Sequence, residues 1–297
     1  MNIGVLGRAG TLDQQIQHAQ VAEADGFANW SLPQILAEDA LTTLAVAAGS
    51  VQRLELGTAV VPVYGRHPAA LAMQATTVNA AANGRLLLGI GLSHQMLIEG
   101  VFGIDFDKPV GFMREYLEIL LPLMAGEAVS VEGDRNTFRG GIQPVGDPPS
   151  VVVAALGPQM LKLAGRLTDG TVTWMTGPRT LGDHTVPSIT QAATDAGRGT
   201  PRIIAGLPVC VTGDADGARA RANELFAIYG TLPSYQAMLE REGADTPGDI
   251  AIVGDEDSVA AQITDLGERG VTDFGASEFA ADAEEHRRTR ETLRSLL

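Results

Sequence analysis

Residues 54–94 run LELGTAVVPVYGRHPAALAMQATTVNAAANGRLLLGIGLSH, and their order predicts strand, helix, strand. Leu54 to Val61 is a β-rich apolar run closed by Pro62. Pro68 suits the first turn of a helix, where its missing N–H costs nothing. Leu71, Ala75, Val78 and Ala82 recur at helical spacing, and Asn83-Gly84 supplies the stop. Leu86 to Gly91 then shows no alternation, as expected of a strand buried on both faces of a parallel sheet. Thr58-Ala59 ends one strand and Gly91-Leu92-Ser93-His94 the other. Parallel strands bring such ends to one rim, where α/β folds carry their chemistry.

The same unit recurs in both directions along the chain. A strand at Asn2–Leu6 precedes a helix from Leu12 to Asp25, and a strand at Phe27–Leu32 precedes a helix from Asp39 to Ser50. After His94, a helix carrying Met113, Tyr116, Leu117, Leu120 and Leu121 leads to Gly126. The Gly- and Pro-rich stretch 126–150 is expected to be a hairpin-like insertion. Val151–Ala155 is the fifth strand, with Met160, Leu163, Ala164 and Leu167 facing inward from the helix that follows. Gly170–Thr176 is the sixth, with a helix over Leu181–Ala196. Arg202–Thr212 is the seventh, followed by a helix from Ala215 to Tyr229 and a second insertion around Leu232–Asp245. A helix near Ser258–Arg269 leads to the eighth strand, Thr272–Ser277, and residues 282–288 open a closing surface helix. Eight strand–helix units in 297 residues, with no linker between them, predict an α/β fold. The expected architecture is a (β/α)8 TIM barrel with insertions, forming a single domain over 1–297.

Composition narrows the function. A formal net charge of −15 opposes binding to polyanions, so nucleic acid and anionic membrane surfaces are not expected partners. No apolar run is long enough to span a bilayer. Met1-Asn2-Ile3-Gly4-Val5 lacks the basic region of a signal peptide and is expected to open the first strand. The single cysteine, Cys210, excludes an internal disulfide and points to a reducing, cytoplasmic setting. It is expected to be a buried small hydrophobe.

Several residues at the strand ends are suited to chemistry. Ala154-Ala155-Leu156-Gly157-Pro158 places Gly and Pro at a helix entrance directly after a buried strand. Free N–H groups and the helix dipole make such a turn either an anion site or an ordinary strand–helix connection. Gly89-x-Gly91 is no dinucleotide fingerprint, because His94 stands where the third glycine belongs. These glycines either bend the strand or let a flat cofactor lie against its end. His94, beside Ser93 and Gln95, is either a general acid at the rim or a solvated loop histidine. Trp174, in Thr173-Trp174-Met175-Thr176, either lines a ring-binding pocket or packs beneath a helix, and Trp30 faces the same choice. His67 is expected to cap or pack at a helix start, His18 and His286 to face solvent without a role, and His184 is undecided. No metal-ligand spacing and no G-x-S-x-G occur, which disfavours metal and serine hydrolases.

These blocks converge on a family. Leu56-Gly57-Thr58-Ala59-Val60-Val61-Pro62 with Arg66-His67-Pro68, Gly84-Arg85-Leu86 through Gly91, Ala154 to Pro158, and Leu163-Ala164-Gly165-Arg166 with Asp169-Gly170 resemble the luciferase-like monooxygenase superfamily. The resemblance is nearer to the branch that uses the deazaflavin coenzyme F420, and it covers nearly the whole chain. It implies a luciferase-like barrel with a ring stacked at the strand ends and a non-prolyl cis peptide at Ala59-Val60 supporting it. Gly91, Leu92 and Ser93 with Leu156, Gly157, Pro158 and Gln159 would hold the ribityl chain and phosphate, and Thr173 and Trp174 would lie near the ring. Where the deazaflavin sugar dehydrogenases of this superfamily carry a histidine after strand 2, this chain has Gln34; where they carry a glutamate after strand 4, it has His94. Gln34 cannot serve as a general base, so a sugar-oxidising mechanism does not transfer. The resemblance implies instead an F420-dependent oxidoreductase acting on a small organic substrate, more readily as a reductase. In it, His94 is the candidate proton donor and Gln34 a neighbour of ring or substrate. A homodimer is implied by the family alone. The rival expectations are an FMN-dependent monooxygenase fed by a separate reductase and a non-catalytic cofactor-binding barrel.

Overall fold

Burial on both faces turns the apolar runs into a sheet that closes on itself. The computed structural model describes residues 1–297. Its barrel strands are β1 (Asn2–Leu6), β2 (Asn29–Leu32), β3 (Glu55–Thr58), β4 (Leu86–Gly91), β5 (Ser150–Ala154), β6 (Gly170–Trp174), β7 (Arg202–Val211) and β8 (Asp273–Glu278). Each pairs in parallel with its sequence neighbour, and β8 pairs with β1, completing the ring. Helices follow the strands and cover the outside, where the larger core, including Trp30, Tyr116 and Phe274, is buried. Stretch 126–150 contains the expected hairpin, Val129–Glu132 paired antiparallel with Thr137–Gly140. No helix is long and apolar enough to cross a membrane.

The barrel interior is layered by chemistry. At the N-terminal rim Arg202, the first residue of β7, grips the carboxylates of Asp273 and Glu55, each through two contacts of 2.6–3.0 Å. Asn2 donates a further hydrogen bond of 3.1 Å to Asp273. Burial alone would raise the Asp273 carboxyl, but hydrogen bonds from Arg202 and Thr272 outweigh it and hold the group below its ordinary 3.8. Above this ionic plug Leu87, Val152, Val172 and Ile204 meet in an apolar layer, on which Val60 and Ala154 pack. The polar end is therefore sealed, and the opposite rim is where the fold opens.

Departures from the sequence expectation have local causes. β2 begins at Asn29 rather than Phe27, because Gly26 ends the preceding helix in the left-handed conformation and the Phe27 N–H closes back onto Ala22. β3 ends at Thr58, since Ala59-Val60 is a cis peptide; Val61–Pro62 then pairs with Ile90–Gly91. The helix expected over Leu181–Ala196 starts at Pro178 and carries a π turn at Leu181–Thr185, ahead of Pro187, which has no N–H to continue the ladder. The helix expected to reach Tyr229 stops at Leu225. The second insertion holds a helix, Pro233–Glu242. Two elements escaped the sequence: a short helix, Gln95–Gly100, and an outer strand, Ile252–Gly254, on the end of β7.

The plug makes a stability prediction. Arg202→Ala strands Asp273, which is 1% exposed, and should lower unfolding free energy by about 3–5 kcal/mol in urea titrations. Because the folded Asp273 carboxyl is depressed, its stabilisation is present above the unfolded pKa and lost as pH falls through the folded one. The deficit of the variant should therefore shrink below about pH 4. A loss under 1 kcal/mol at neutral pH would show that the plug is not structural.

Candidate active site

At the C-terminal rim the geometry is set by how closely β3 and β4 approach. Thr58 Oγ1 donates to the Gly89 carbonyl at 2.7 Å and accepts from the Gly89 N–H at 2.9 Å. A Cβ on Gly89 would lie 2.0 Å from the Thr58 carbonyl oxygen. One on Gly91 would lie 2.6 Å from Val60 Cγ2 and 3.1 Å from Ala154 Cβ. The room left by the two glycines is thus taken by the Ala59-Val60 bulge rather than by a flat ligand lying on the strand itself. Val60 ends up half-buried, over the apolar layer and beside the tip of β5.

Two residues beyond Ala154, the chain turns into the helix Pro158–Leu167. Gly157 is its N-cap and no side chain caps it, so the N–H groups of Gln159 and Met160 in its first turn have no acceptor in the chain. A Cβ on Gly157 would meet nothing within 4 Å, so the space in front of these donors is open. His184, undecided from sequence, supports the turn: its Nε2 donates to the Leu156 carbonyl at 2.9 Å. The other histidines fall as expected. His67 caps the helix at Pro68 through Nδ1, and His18 and His286 are exposed. Cys210 is buried, and so is Trp30.

His94 and Trp174 meet across the mouth through residues that sequence reasoning had not assigned. The His94 ring stands edge-on to Tyr229 and Tyr235, with centroids 6.0 and 5.8 Å away. Tyr229 lies 4.9 Å from Tyr235 and 5.8 Å from Trp174, which in turn touches Phe226 at 5.6 Å. Tyr229 lies in the turn Ala227–Thr231 just before the second insertion and Tyr235 in the insertion's helix, and together they fold over the rim. The available signal was compositional: in a chain with 5% aromatics, Phe226, Tyr229 and Tyr235 fall within ten residues, directly after the helix Ala215–Leu225. Trp174 also rests above Gly206, where a Cβ would meet its Cε3 at 3.1 Å. Its Nε1–H is buried and directed at the Tyr229 phenol, whose pKa it holds lower than burial alone would. Ser93 and Met175, beside His94 and Trp174, hold left-handed backbone at φ 61° and 52°, which turns the chain sharply at both strand ends.

No charged group acts on the ring cluster. Burial alone pulls the His94 imidazole below 6.5, with no charged group contributing, and burial raises the Tyr229 and Tyr235 phenols. At pH 7 all three rings are neutral. Gln34 is placed differently: its Oε1 accepts from the Ala40 N–H at 3.1 Å at the start of the next helix, which leaves only its NH2 free.

The arrangement defines a parallel α/β barrel whose rim combines a main-chain bulge, an aromatic wall and open helix N–H groups. The profile of the family described as luciferase-like monooxygenase matches residues 2–273. The 5,10-methylenetetrahydromethanopterin reductase of Methanolobus tindarius is 30% identical over 241 residues, 80% of this chain and 73% of that one. A putative coenzyme F420-dependent oxidoreductase of Mycobacterium tuberculosis is 30% identical over 251 residues, covering 77% and 72%. Among solved structures, the coenzyme F420-dependent tetrahydromethanopterin reductase of Methanopyrus kandleri superposes with a TM-score of 0.85 over 100% of this chain and 98% of that one, at 20% identity. The chain belongs to the luciferase-like monooxygenase family.

The tight packing at Gly91 is testable. Gly91→Ala must push Val60 toward the mouth, and overpacking of this kind costs about 1–3 kcal/mol. Deazaflavin or flavin affinity, followed by fluorescence titration, should fall about tenfold while far-UV circular dichroism is unchanged. Adding Val60→Ala should restore most of the affinity. Undiminished binding in the single variant would mean that the bulge does not form the floor of the site.

Proposed function

We propose that this protein is a coenzyme F420-dependent oxidoreductase that exchanges a hydride with a small organic substrate, more readily as a reductase. The observation that carries this reading is the joint placement at one rim of the Ala59-Val60 bulge, the open helix turn at Gly157 and the neutral aromatic wall. Similarity to F420-dependent reductases supports it. The residues suit such a group. Main-chain atoms at Ala59-Val60 would back the ring, and the Trp174 indole would wall it. Gly91, Leu92 and Ser93 would flank the ribityl chain. The Gln159 and Met160 N–H groups, after Leu156, Gly157 and Pro158, would take the phosphate. Thr173 lies beneath Trp174 in β6 and anchors the strand through Oγ1, 3.4 Å from the Ile204 carbonyl. When bound, the reduced deazaflavin supplies a hydride from its C5.

The remaining steps belong to the chain. Tyr229, Tyr235 and Phe226 cover the mouth and favour a substrate with apolar surface, while excluding water. His94, facing both phenols and free of hydrogen bonds, is placed to hand a proton to a substrate that gains a hydride. Gln34 has only its free NH2 with which to orient substrate. Residues 1–297 act as one unit in this reading. Val46 and Met73, on the adjacent helices Ala40–Ala47 and Pro68–Ala81, remain about half exposed, at 47% and 52%. A homodimer would cover them, so sedimentation should return twice the chain mass. The lone buried cysteine agrees with a cytoplasmic setting.

Titration of the purified protein with F420 and with FMN tests the cofactor: F420 should bind and FMN should bind more weakly. Tight FMN binding with none of F420 would overturn the proposal in favour of the monooxygenase. His94 makes a signed prediction. Burial lowers its pKa, so the donating imidazolium is scarce at pH 7 and grows as pH falls; reduction should quicken below pH 6.5. His94→Ala should slow turnover about 10²-fold with cofactor affinity unchanged, and should flatten that pH profile. Unchanged turnover would remove His94 from the chemistry.

A further inference from the structure

On the outside of the barrel, a groove of about 460 Å³ runs between the helix Pro109–Met124 and the helix Pro158–Leu167. It begins at Gln159, in the turn assigned above to the phosphate, and continues past Lys162 and Arg166 on the same helix. Residues 159, 162 and 166 share one helical face, and the seven steps from 159 to 166 cover about 10 Å along the axis. Arg114 faces them from the neighbouring helix, together with Glu118 as the single carboxylate. Val110, Leu163 and Leu167 supply apolar floor.

These cations stand out because the rest of the chain pairs its own. Of 21 Lys and Arg, only Arg8, Arg53, Arg114, Lys162, Arg166 and Arg241 have no ion-pair or hydrogen-bond partner. Three of these six line one groove, on a protein of net charge −15. Three like charges that face a single carboxylate and form no ion pair with it mark a place for an external anion. That anion has more than one negative group, because the cations are spread along the groove rather than gathered at a point.

We propose that this groove receives the chain of carboxylates that F420 carries beyond its phosphate. The inference rests on the F420 reading and deepens it. The phosphate at the Gly157 turn would deliver the extension to the groove's upper end, where Lys162, Arg166 and Arg114 engage successive carboxylates and Glu118 opposes them. FMN, which ends at its phosphate, gains nothing from these residues.

The test measures dissociation constants by deazaflavin fluorescence at low ionic strength. It compares F420 bearing several γ-linked glutamates with its glutamate-free form, which keeps the phosphate. The wild-type protein should prefer the glutamylated form about tenfold, the scale of a few exposed ion pairs acting together. The preference should shrink toward unity in 1 M salt, where screening shortens to about 3 Å. A variant combining Arg114→Gln, Lys162→Gln and Arg166→Gln should lose it while binding the glutamate-free form unchanged. Glu118→Gln should increase it about twofold. Equal affinity for the two forms in the wild type, or a preference that survives the triple variant, overturns the groove assignment and leaves the F420 reading intact. Binding of neither form overturns both.

Discussion

Two strands of this barrel come together more closely than side chains allow, and the rim is built on that approach. Thr58 and Gly89 exchange two hydrogen bonds where β3 and β4 meet, and neither Gly89 nor Gly91 has room for a Cβ. Val60 fills the space so created, held against Gly89 and Gly91 and resting on the inner apolar layer. A main-chain bulge held this way cannot retreat when something presses on it from the mouth. The rigidity of the floor comes from packing, not from any one polar contact.

Charge is partitioned along the barrel axis. The closed end carries Arg202, Asp273 and Glu55, compensated among themselves. The open end carries neutral rings, a neutral imidazole and main-chain donors, and its ion pair, Arg66 with Asp39, is compensated within itself. The partition is physically coherent: in a half-buried mouth a fixed charge would have to be desolvated or countered, whereas N–H groups and dipoles attract an anion without that penalty. It also fits an acidic protein, whose overall field disfavours anions everywhere except where cations are left exposed.

Much of the architecture was legible because its signals are local. Strands such as Leu86–Gly91 and the stretch now seen as β5 are bare apolar runs, and a run without alternation has few other places to go than a doubly covered sheet. Gly26, Asn83-Gly84 and Pro68 mark their helix ends by backbone constraints that operate within a turn or two. The outer strand at Ile252–Gly254 and the helix at Gln95–Gly100 escaped notice because each is only three to six residues long and is stabilised by what it packs on. In the candidate site, the Gly157 turn was visible from sequence and the bulge from resemblance. Tyr229 and Tyr235 were not, since helical spacing tells which side chains share a face and is silent on what lies opposite.

By itself, then, the order of residues determined the repeating strand–helix unit, the closure count of eight and the set of strand ends that share a rim. These follow from period, burial and turn chemistry within short windows. Tertiary structure alone decided that Gly89 and Gly91 serve Val60, that Gln34 spends its carbonyl on capping a helix, and that an insertion more than 130 residues away in sequence walls in His94. Such contacts join distant parts of the chain, and their energies depend on shape complementarity that no local window contains.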